Sequence, residues 1–344
     1  MALVLAFNCA ALGAPAVAHE RGDLAVFSWP RHTGGVYVLH ASTAAKRKVA
    51  SKTPYYINNS TRVAWSPDRS KLAFEAGSEQ REDIFVWSRR SGRVRRVTAQ
   101  SGREVHPSWA PGGRRIVYVH ESNTGRDLFV VRADGSGRQR LTQDDAYVET
   151  PEWSPDGSTI AYGTTAGLFL IRPNGTAKRR LTSDRFFDYQ PSWAPGSQRL
   201  VFSRIRTAPS AFLVVINKDG SNRRRIIDSR GRDEEAEWAP DGSRIAFSHS
   251  TSDEQDGKIF VYSVRPDGLG LRRLTPDLTA EGQAATGVFP EWSPGSKRIA
   301  YLRRQIEADE REPEVNIWVM RRDGSHQRNL TPKAGPGGFF GLDW

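Results

Sequence analysis

The 344-residue chain has almost no cysteine, since Cys9 is the only one. Long apolar runs are missing as well, except over residues 1–18, which carry no charge and end in Ala16-Val17-Ala18. A small residue on each side of a spacer is typical of a signal-peptidase site, so we expect a signal peptide over 1–18 and export to the periplasm or the cell exterior. The exported protein would lack cysteine, which excludes disulfides and leaves its stability to packing. No later run predicts a transmembrane segment.

Motifs of hydrolytic and metal-dependent enzymes are also missing. The sequence contains no G-x-S-x-G elbow, no H-E-x-x-H pair and no cluster of cysteine and histidine, and its seven histidines are scattered. We therefore expect no catalytic residue, no metal site and no cofactor.

The chain has a surplus of positive charge, 50 Lys and Arg against 39 Asp and Glu, which gives a formal net charge of +11. Such a surplus favours solubility or an anionic partner. Because we expect export, we exclude nucleic acid as that partner and retain an anionic surface of the cell envelope.

Glycine (31), proline (20) and tryptophan (ten) are abundant, and they recur in one pattern. The segment PEWSPDGSTIAYGT has five close copies, including VAWSPDRSKLAFEA and AEWAPDGSRIAFSH. The copies align on their tryptophans at intervals of 40 to 54 residues, the usual length of a four-stranded propeller blade. These are Trp65, Trp109, Trp153, Trp193, Trp238 and Trp292, followed by Trp344.

Each copy predicts four strands. The first strand ends at the tryptophan, and a Pro-Asp/Gly-Gly turn leads into an alternating second strand. An apolar third strand ends at an Asp-Gly or Asn-Gly hairpin turn, and a basic strand such as Arg140-Leu141-Thr142 completes the unit.

The two ends of the chain complement each other. Residues 24–49 predict the second, third and fourth strands of a unit, and residues 339–344 (FFGLDW) predict a tryptophan strand alone. Joining them gives an all-β, seven-bladed β-propeller closed by pairing of the C-terminal strand with the N-terminal strands, which leaves no open sheet edge. A six-bladed ring is the alternative. We expect one domain over 19–344, with one blade split between 24–49 and 339–344.

The W-S-P-D-G-x-x-I-A-F segment, followed by D-G and R-x-L-T, resembles the WD40-like repeat of TolB-type β-propellers. The resemblance covers nearly all of the chain after residue 18 and implies the propeller fold. TolB itself also has an N-terminal α/β domain that this sequence does not contain, so its role is not implied.

Most repeated residues are interpreted as structural. Seven tryptophans at one position are expected to pack between blades, the turn aspartates to cap their own backbone, and the arginine runs to cover the outermost strands. Function is instead expected where the repeats differ.

The repeats differ most at the mouth of the central channel. The residue three positions before each tryptophan changes from blade to blade, and the neighbouring loops add aromatic and charged side chains, which is typical of a recognition surface. The candidate ligand- and partner-binding residues are Arg62, Arg103, His106, Glu149, Tyr189, Gln190, Glu234, Glu235 and Phe289.

Two functions are compatible with this surface. The leading hypothesis is a monomeric, non-enzymatic propeller that binds a protein or peptide of the cell envelope. The alternative is a lyase or hydrolase acting on an acidic glycan, similar in architecture to oligogalacturonate lyases. In that case Arg62, Arg103 and His106 would hold substrate carboxylates.

Overall fold

In the computed structural model, every regular element of the described chain is a β-strand. The structure describes residues 23–29, 35–50, 62–78, 81–143, 147–182, 186–207, 210–227, 231–250, 258–276, 286–305, 314–332 and 337–344. The predicted signal peptide over 1–18 lies outside these ranges.

The strands form four-stranded antiparallel units, each named here after the tryptophan that follows or ends its inner strand. The Trp65 unit contains β4 (Val63–Trp65), β5 (Lys71–Ser78), β6 (Arg81–Ser88) and β7 (Val94–Arg96). The Trp109 unit contains β8 (Arg103–Trp109), β9 (Arg115–Ser122), β10 (Gly125–Arg132) and β11 (Gln139–Arg140). The Trp153 unit contains β12 (Val148–Trp153), β13 (Ile160–Thr164), β14 (Gly167–Ile171) and β15 (Arg179–Arg180).

The next three units repeat this order. The Trp193 unit contains β16 (Phe187–Trp193), β17 (Arg199–Thr207), β18 (Ser210–Asn217) and β19 (Arg224–Arg225). The Trp238 unit contains β20 (Arg232–Trp238), β21 (Ile245–Ser250), β22 (Ile259–Val264) and β23 (Arg272–Arg273). The Trp292 unit contains β24 (Thr286–Trp292), β25 (Arg298–Gln305), β26 (Glu314–Arg321) and β27 (Arg328–Asn329).

The remaining strands come from both ends of the chain. They are β1 (Asp23–Trp29), β2 (Gly35–His40), β3 (Lys46–Ala50) and β28 (Gly337–Asp343). β28 pairs antiparallel with β1, so that Asp343 lies opposite Ala25 and Leu342 opposite Val26, and β1 continues to β2 and β3. We refer to these four strands as the Trp344 unit.

The core lies between the units because successive side chains of a strand point to opposite faces of its sheet. In β9, Val117 and Val119 pack in a cluster with Trp153, whereas Ile116 and Tyr118 pack in another cluster with Trp109. The same arrangement recurs at all seven tryptophans, each at most 5% exposed and packed against residues of its own and the preceding unit. The predicted role of these tryptophans in packing between units is confirmed.

The predicted turns and outer strands are confirmed as well. In the tryptophan-side turns, Asp68, Asp156 and Asp241 each accept hydrogen bonds from serines of their own turn. The threonine of the R-x-L-T motif also has a structural role, since the Thr142 hydroxyl accepts the backbone N–H of Leu128. The outer strands β7, β11, β15, β19 and β23 are exposed along their whole length.

Candidate functional site at the channel mouth

The antiparallel order of each unit creates two distinct faces. Inner strands begin, and second strands end, on one side of the units, which we call the loop face. Thirteen short connections lie on the other side, which we call the turn face. Each connects the end of one strand to the start of its antiparallel neighbour, and these two ends lie side by side on that face. The connections are 41–45, 66–70, 89–93, 110–114, 133–138, 154–159, 172–178, 194–198, 218–223, 239–244, 265–271, 293–297 and 322–327.

The position three residues before the tryptophan has an unusual backbone. Five non-glycine residues there have φ between 46° and 60°, the left-handed region that such residues rarely adopt. The register between the first and second strands shifts at this point in each of the five units, which is typical of a β-bulge. The five residues are His106, Thr150, Gln190, Glu235 and Phe289.

The bulge directs backbone N–H groups toward the preceding unit, where side chains accept them. The N–H of Thr150 donates to His106 Nδ1 at 3.4 Å, and the N–H of Gln190 donates to Thr150 Oγ1 at 3.0 Å. The N–H of Glu235 then donates to Gln190 Oε1 at 3.0 Å, and that of Phe289 to Glu235 Oε2 at 3.1 Å. We call this series the mouth belt. It links five consecutive units, and four of its five residues, all except Thr150, are among the candidate binding residues of the sequence analysis.

A buried carboxyl group of the Trp65 unit extends the mouth belt to that unit. Glu75 Oε1 accepts the N–H of His106 at 2.5 Å, and burial raises the pKa of Glu75 to about 8. Burial also lowers the pKa of His106 well below its ordinary value, so its imidazole is neutral at pH 7. His120 lies outside the mouth belt, and its Nδ1 is 2.9 Å from Glu104 Oε1.

Substituting Gln190 tests the contribution of the mouth belt to stability. We expect Gln190→Ala to lower the free energy of unfolding by about 1–3 kcal/mol, because the buried N–H of Glu235 loses its acceptor. Urea denaturation measures the change, and Gln198→Ala, at an exposed turn position, is the matched control. Equal midpoints for the two variants would contradict a structural role for the belt.

A second series of hydrogen bonds lies two residues further along the inner strands, where the acceptor is the residue directly before the tryptophan. Glu152 Oε1 accepts the N–H of Trp193, and Glu237 Oε2 accepts that of Trp292. Asp343 Oδ2 accepts the N–H of Trp65 in the same way, which links the C-terminal strand to the first complete unit. This acidic position was missed by the sequence analysis, although a polar residue before the tryptophan recurs in most copies.

Glu152, Glu237 and Glu291 line a small cavity. The centre of a water molecule can move within about 20 Å³ of it, which is enough for one or two waters. Burial raises the pKa of Glu152 and of Glu291 well above the ordinary value, and the neighbouring Glu237 adds to both shifts. Burial raises the pKa of Asp343 to about 7. These carboxyl groups are therefore protonated over much of the range in which exposed carboxylates are ionised.

Around the mouth, the predicted charged residues are held in ion pairs. Arg103 binds Glu82 Oε2 at 2.7 Å and Glu121 Oε2 at 3.2 Å. Arg126 binds the same Glu121 carboxylate at 3.1 Å and Glu149 Oε1 at 3.0 Å. Arg103 and Glu149 are thus joined through Glu121 and Arg126, two residues that the sequence did not single out.

A similar cluster lies on the Trp193 and Trp238 units. The buried Tyr189 hydroxyl donates to Glu234, and Arg232 donates to the same carboxylate. Arg204 is paired with the buried Asp188 at 2.6 Å. Of the predicted site residues, Tyr189 and Glu234 are therefore brought together across two units.

Arg62 differs from the other predicted cations. Its side chain is buried, and its Nε and Nη1 atoms have no hydrogen-bond partner. Burial lowers the pKa of Arg62 to about 10, and the nearby carboxyls of Glu75, Glu149 and Glu235 only partly oppose that shift. Its guanidinium is thus a cation with unused donors near the start of the inner strand β4.

Aromatic rings cover part of this charged surface. The Arg126 guanidinium lies 3.9 Å from the centre of the Tyr147 ring, and Arg204 lies 5.2 Å from that of Phe186. Phe187 stacks on Tyr189 with ring centres 5.0 Å apart. We call Tyr147, Phe186 and Phe187 with these two arginines the aromatic platform.

In the described part of the chain, no three His, Cys, Asp or Glu side chains are grouped so that they could hold a metal ion. None of the described residues forms a helix of the length and hydrophobicity needed to span a bilayer.

The family model described as the TolB beta propeller domain matches residues 5–232, about two thirds of the sequence. The chain belongs to the TolB β-propeller domain family. No curated protein matches it significantly.

Solved structures agree with this TolB-type fold. TolB from Acinetobacter baumannii is 17% identical, with a TM-score of 0.60 over 94% of this chain, which spans 66% of the length of that TolB. Oligogalacturonate lyase from Vibrio parahaemolyticus is 12% identical, with a TM-score of 0.65 over 91% of this chain and 88% of its own. The propeller domain of the Trilobed protease from Pyrococcus furiosus, described as having an open velcro topology, is 12% identical, with a TM-score of 0.65 over 92% and 94%. At such identities the likeness shows the fold alone.

Proposed function

We propose that this TolB-type propeller is a non-enzymatic binding protein that holds a protein or peptide partner on its loop face. The aromatic platform carries the proposal. Tyr147 is 43% exposed and is one of the few large hydrophobic side chains that the described chain leaves at the surface. Tyrosine and arginine, together with tryptophan, are enriched among the residues that dominate the binding energy of protein interfaces.

The platform is held in place before any partner arrives. Arg126 is fixed beneath Tyr147 by Glu121 and Glu149, and its side chain is only 13% exposed. Phe187 and Phe186 extend the surface on the next inner strand, because Thr164 pairs with both Val148 and Asp188. A rigid surface loses little conformational entropy on binding, so more of its contact energy appears as affinity.

The double variant Tyr147→Ala/Phe187→Ala tests this function. With a photo-crosslinking residue on the loop face, we expect one discrete partner adduct, and the double variant is expected to weaken capture at least tenfold, about 1.4 kcal/mol. Gln198→Ala, an exposed substitution on the turn face, is the control and should leave capture unchanged. Equal crosslinking from both faces, or full capture by the double variant at an unchanged melting temperature, would refute the proposal.

We propose further that the ring has seven blades and is closed by β28. Support comes from the antiparallel pairing of β28 with β1 and from contacts of the inner strands in chain order, with β28 touching both β24 and β4. Seven hydrophobic clusters, each shared by two consecutive units, fit the same arrangement. The apolar segment 1–18 supports export, and cell fractionation tests that location. We propose that the exported protein is a monomer and that its partner lies in the cell envelope.

Arg62 supports the second candidate, an enzyme that acts on an acidic glycan. Its unused donors could receive a substrate carboxylate. Of the other two cations expected to help, Arg103 is already bound to Glu82 and Glu121, and His106 is buried in the mouth belt. Turnover of an acidic glycan, screened with and without divalent metal and lost in Arg62→Gln, would place this candidate first.

A further inference from the structure

The turn face carries most of the positive charge surplus. Its thirteen connections contain 14 Lys or Arg and seven Asp, and the structure describes all of them. Nine of the 14 basic side chains are exposed. The basic residues are Arg69, Arg89, Arg90, Arg93, Arg114, Arg138, Arg172, Lys178, Lys218, Arg223, Arg244, Arg265, Lys297 and Arg322.

The aspartates of this face are committed to their own turns. Asp134, for example, accepts both the N–H and the hydroxyl of Ser136, and these bonds lower its pKa. The same holds for Asp219 with Ser221 and for Asp323 with Ser325. The acids thus serve as regular turn caps, while the cations outnumber them two to one and form a positive field over one side of the protein.

One turn departs from the others by exposing hydrophobic side chains. Leu269 is 59% exposed and Leu271 is 49% exposed, and only two other large hydrophobics of the described residues are exposed at all. The corresponding turn of the Trp109 unit reads DGSGR where this one reads DGLGL. Every other unit with this turn has Ser or Thr at the first of the two positions and Lys, Arg or Gln at the second.

The backbone around the leucines is fixed. Asp267 Oδ1 accepts the N–H of Leu269 at 2.9 Å, and Arg244 donates to the carbonyl of Gly270 at 2.5 Å. Exposed Arg265 and Arg272 stand on the two sides of the pair. Two leucines are therefore presented at a fixed point of a basic surface.

We propose that the turn face docks on an anionic lipid membrane, with Leu269 and Leu271 inserted among the headgroups. Basic side chains are drawn to anionic lipid, and short apolar side chains at the same face gain energy by entering the interface. A hydrated polyanion such as nucleic acid would leave the leucines in water, and single strands are bound by stacking on aromatic rings. The exposed hydrophobics of the described turn face are leucines, with no aromatic ring among them.

Docking in this direction leaves the loop face pointing away from the bilayer. The membrane surface and the aromatic platform are on opposite sides, so the protein could hold its partner while bound to lipid. The inference is independent of the proposed function, since each face can be tested without the other.

The double variant Leu269→Ser/Leu271→Arg separates insertion from simple charge attraction. It converts the turn to DGSGR, which the chain already folds at 134–138, and it adds one positive charge. In flotation assays with phosphatidylcholine vesicles containing phosphatidylglycerol, we expect binding to fall about tenfold despite the added charge. Unchanged or stronger binding by this variant would overturn leucine insertion.

A pair of charge reversals tests the orientation. Lys297→Glu lies on the turn face and Arg304→Glu on the loop face, and both side chains are exposed. We expect Lys297→Glu to weaken vesicle binding about fivefold or more and Arg304→Glu to leave it unchanged. The proposal would be overturned if both substitutions weakened vesicle binding equally, or if the protein bound pure phosphatidylcholine vesicles equally well. It would also be overturned if heparin displaced the parent protein and the leucine variant from vesicles to the same extent.

Discussion

Removing residues 338–344 is expected to leave a chain that no longer folds to a stable monomer. Phe339, Leu342 and Trp344 are each at most 5% exposed and pack in one cluster with strands of the Trp292 unit. Loss of each large buried side chain costs about 2–5 kcal/mol, so the deletion removes on the order of 10 kcal/mol. That is comparable to the whole free energy of unfolding of a typical domain, about 5–15 kcal/mol.

The deletion also unpairs β1, which then becomes an exposed sheet edge. The unpaired edge of β1 would template association between molecules, so aggregation should accompany the loss of stability. Size-exclusion chromatography and thermal unfolding measure both effects.

A separate peptide of residues 337–344, added to the truncated chain, is the control that shows whether the missing strand itself accounts for the loss. If β28 stabilises the protein by pairing with β1, the peptide should restore monomer and raise the melting temperature of the truncated chain. A truncated protein that stays soluble and as stable as the full chain would refute ring closure by this strand.

The second large effect is expected in the pH dependence of stability. Burial raises the pKa of Glu75 to about 8 and that of Asp343 to about 7, and it raises those of Glu152, Glu235 and Glu291 well above the ordinary value. Glu75 and Asp343 are protonated in the folded protein and ionised in the unfolded chain between about pH 4.5 and 7, and the other three groups shift in the same direction. The contribution of Glu75 and Asp343 to stability is therefore complete below about pH 4.5 and is lost as the pH rises through 7 to 8.

Other groups act in the opposite direction. The turn aspartates have lowered pKa values and add stability above about pH 4, but they are exposed and contribute little. His106, held neutral by burial, adds stability that is lost as the pH falls below about 6.5. Because five buried carboxyls oppose one histidine, we expect maximal stability at about pH 5 and a clear fall by about pH 8, with Asp343 alone accounting for about 4 kcal/mol.

The double variant Glu152→Gln/Glu291→Gln should flatten this profile. Glutamine keeps the oxygen that accepts the N–H of Trp193 but cannot ionise, so the variant should be more stable than the parent at about pH 8 and similar at about pH 5. Denaturant unfolding across this range measures the difference. Asp267→Asn, on an exposed turn, is the control that should alter only the acidic limb. A parent profile that is flat from about pH 5 to 8 would contradict the assignment.

The repeated residues made the architecture predictable. Proline and glycine in the turns, alternation in the second strands and the tryptophan spacing are local signals, and each corresponds to a turn, a strand or a packing site in the structure. The position of Trp344 beside Leu24 and Val26 was predictable for the same reason, since the two ends lack complementary strands of one repeat.

The site was less predictable because its contacts cross between units. The residues three positions before each tryptophan do vary, but nothing in the sequence signals their left-handed backbone. Glycine, the residue that favours this backbone, stands at that position only before Trp344, as Gly341. Side chains of Gln190 and Glu235 that were expected to face a ligand accept backbone N–H groups from the next unit. Likewise, the pairing of Arg103 with Glu82 joins residues 21 positions apart, and no local pattern predicts it. The identification of these residues as partner-binding stays a prediction.

The mouth belt makes the blades of this propeller non-interchangeable. The turns that follow its tryptophans are nearly uniform, but the acceptor changes along the chain from the carboxyl group of Glu75 to imidazole, hydroxyl, amide and the carboxyl group of Glu235. The hydroxyl of Thr150, the imidazole of His106 and the longer Glu and Gln side chains differ in reach or in polarity, and each must meet the backbone of the blade that follows. A swapped or duplicated blade would thus meet a neighbour whose side chain is too short, too long or of the wrong polarity, so a repeat protein with similar blades keeps them in a fixed sequential order.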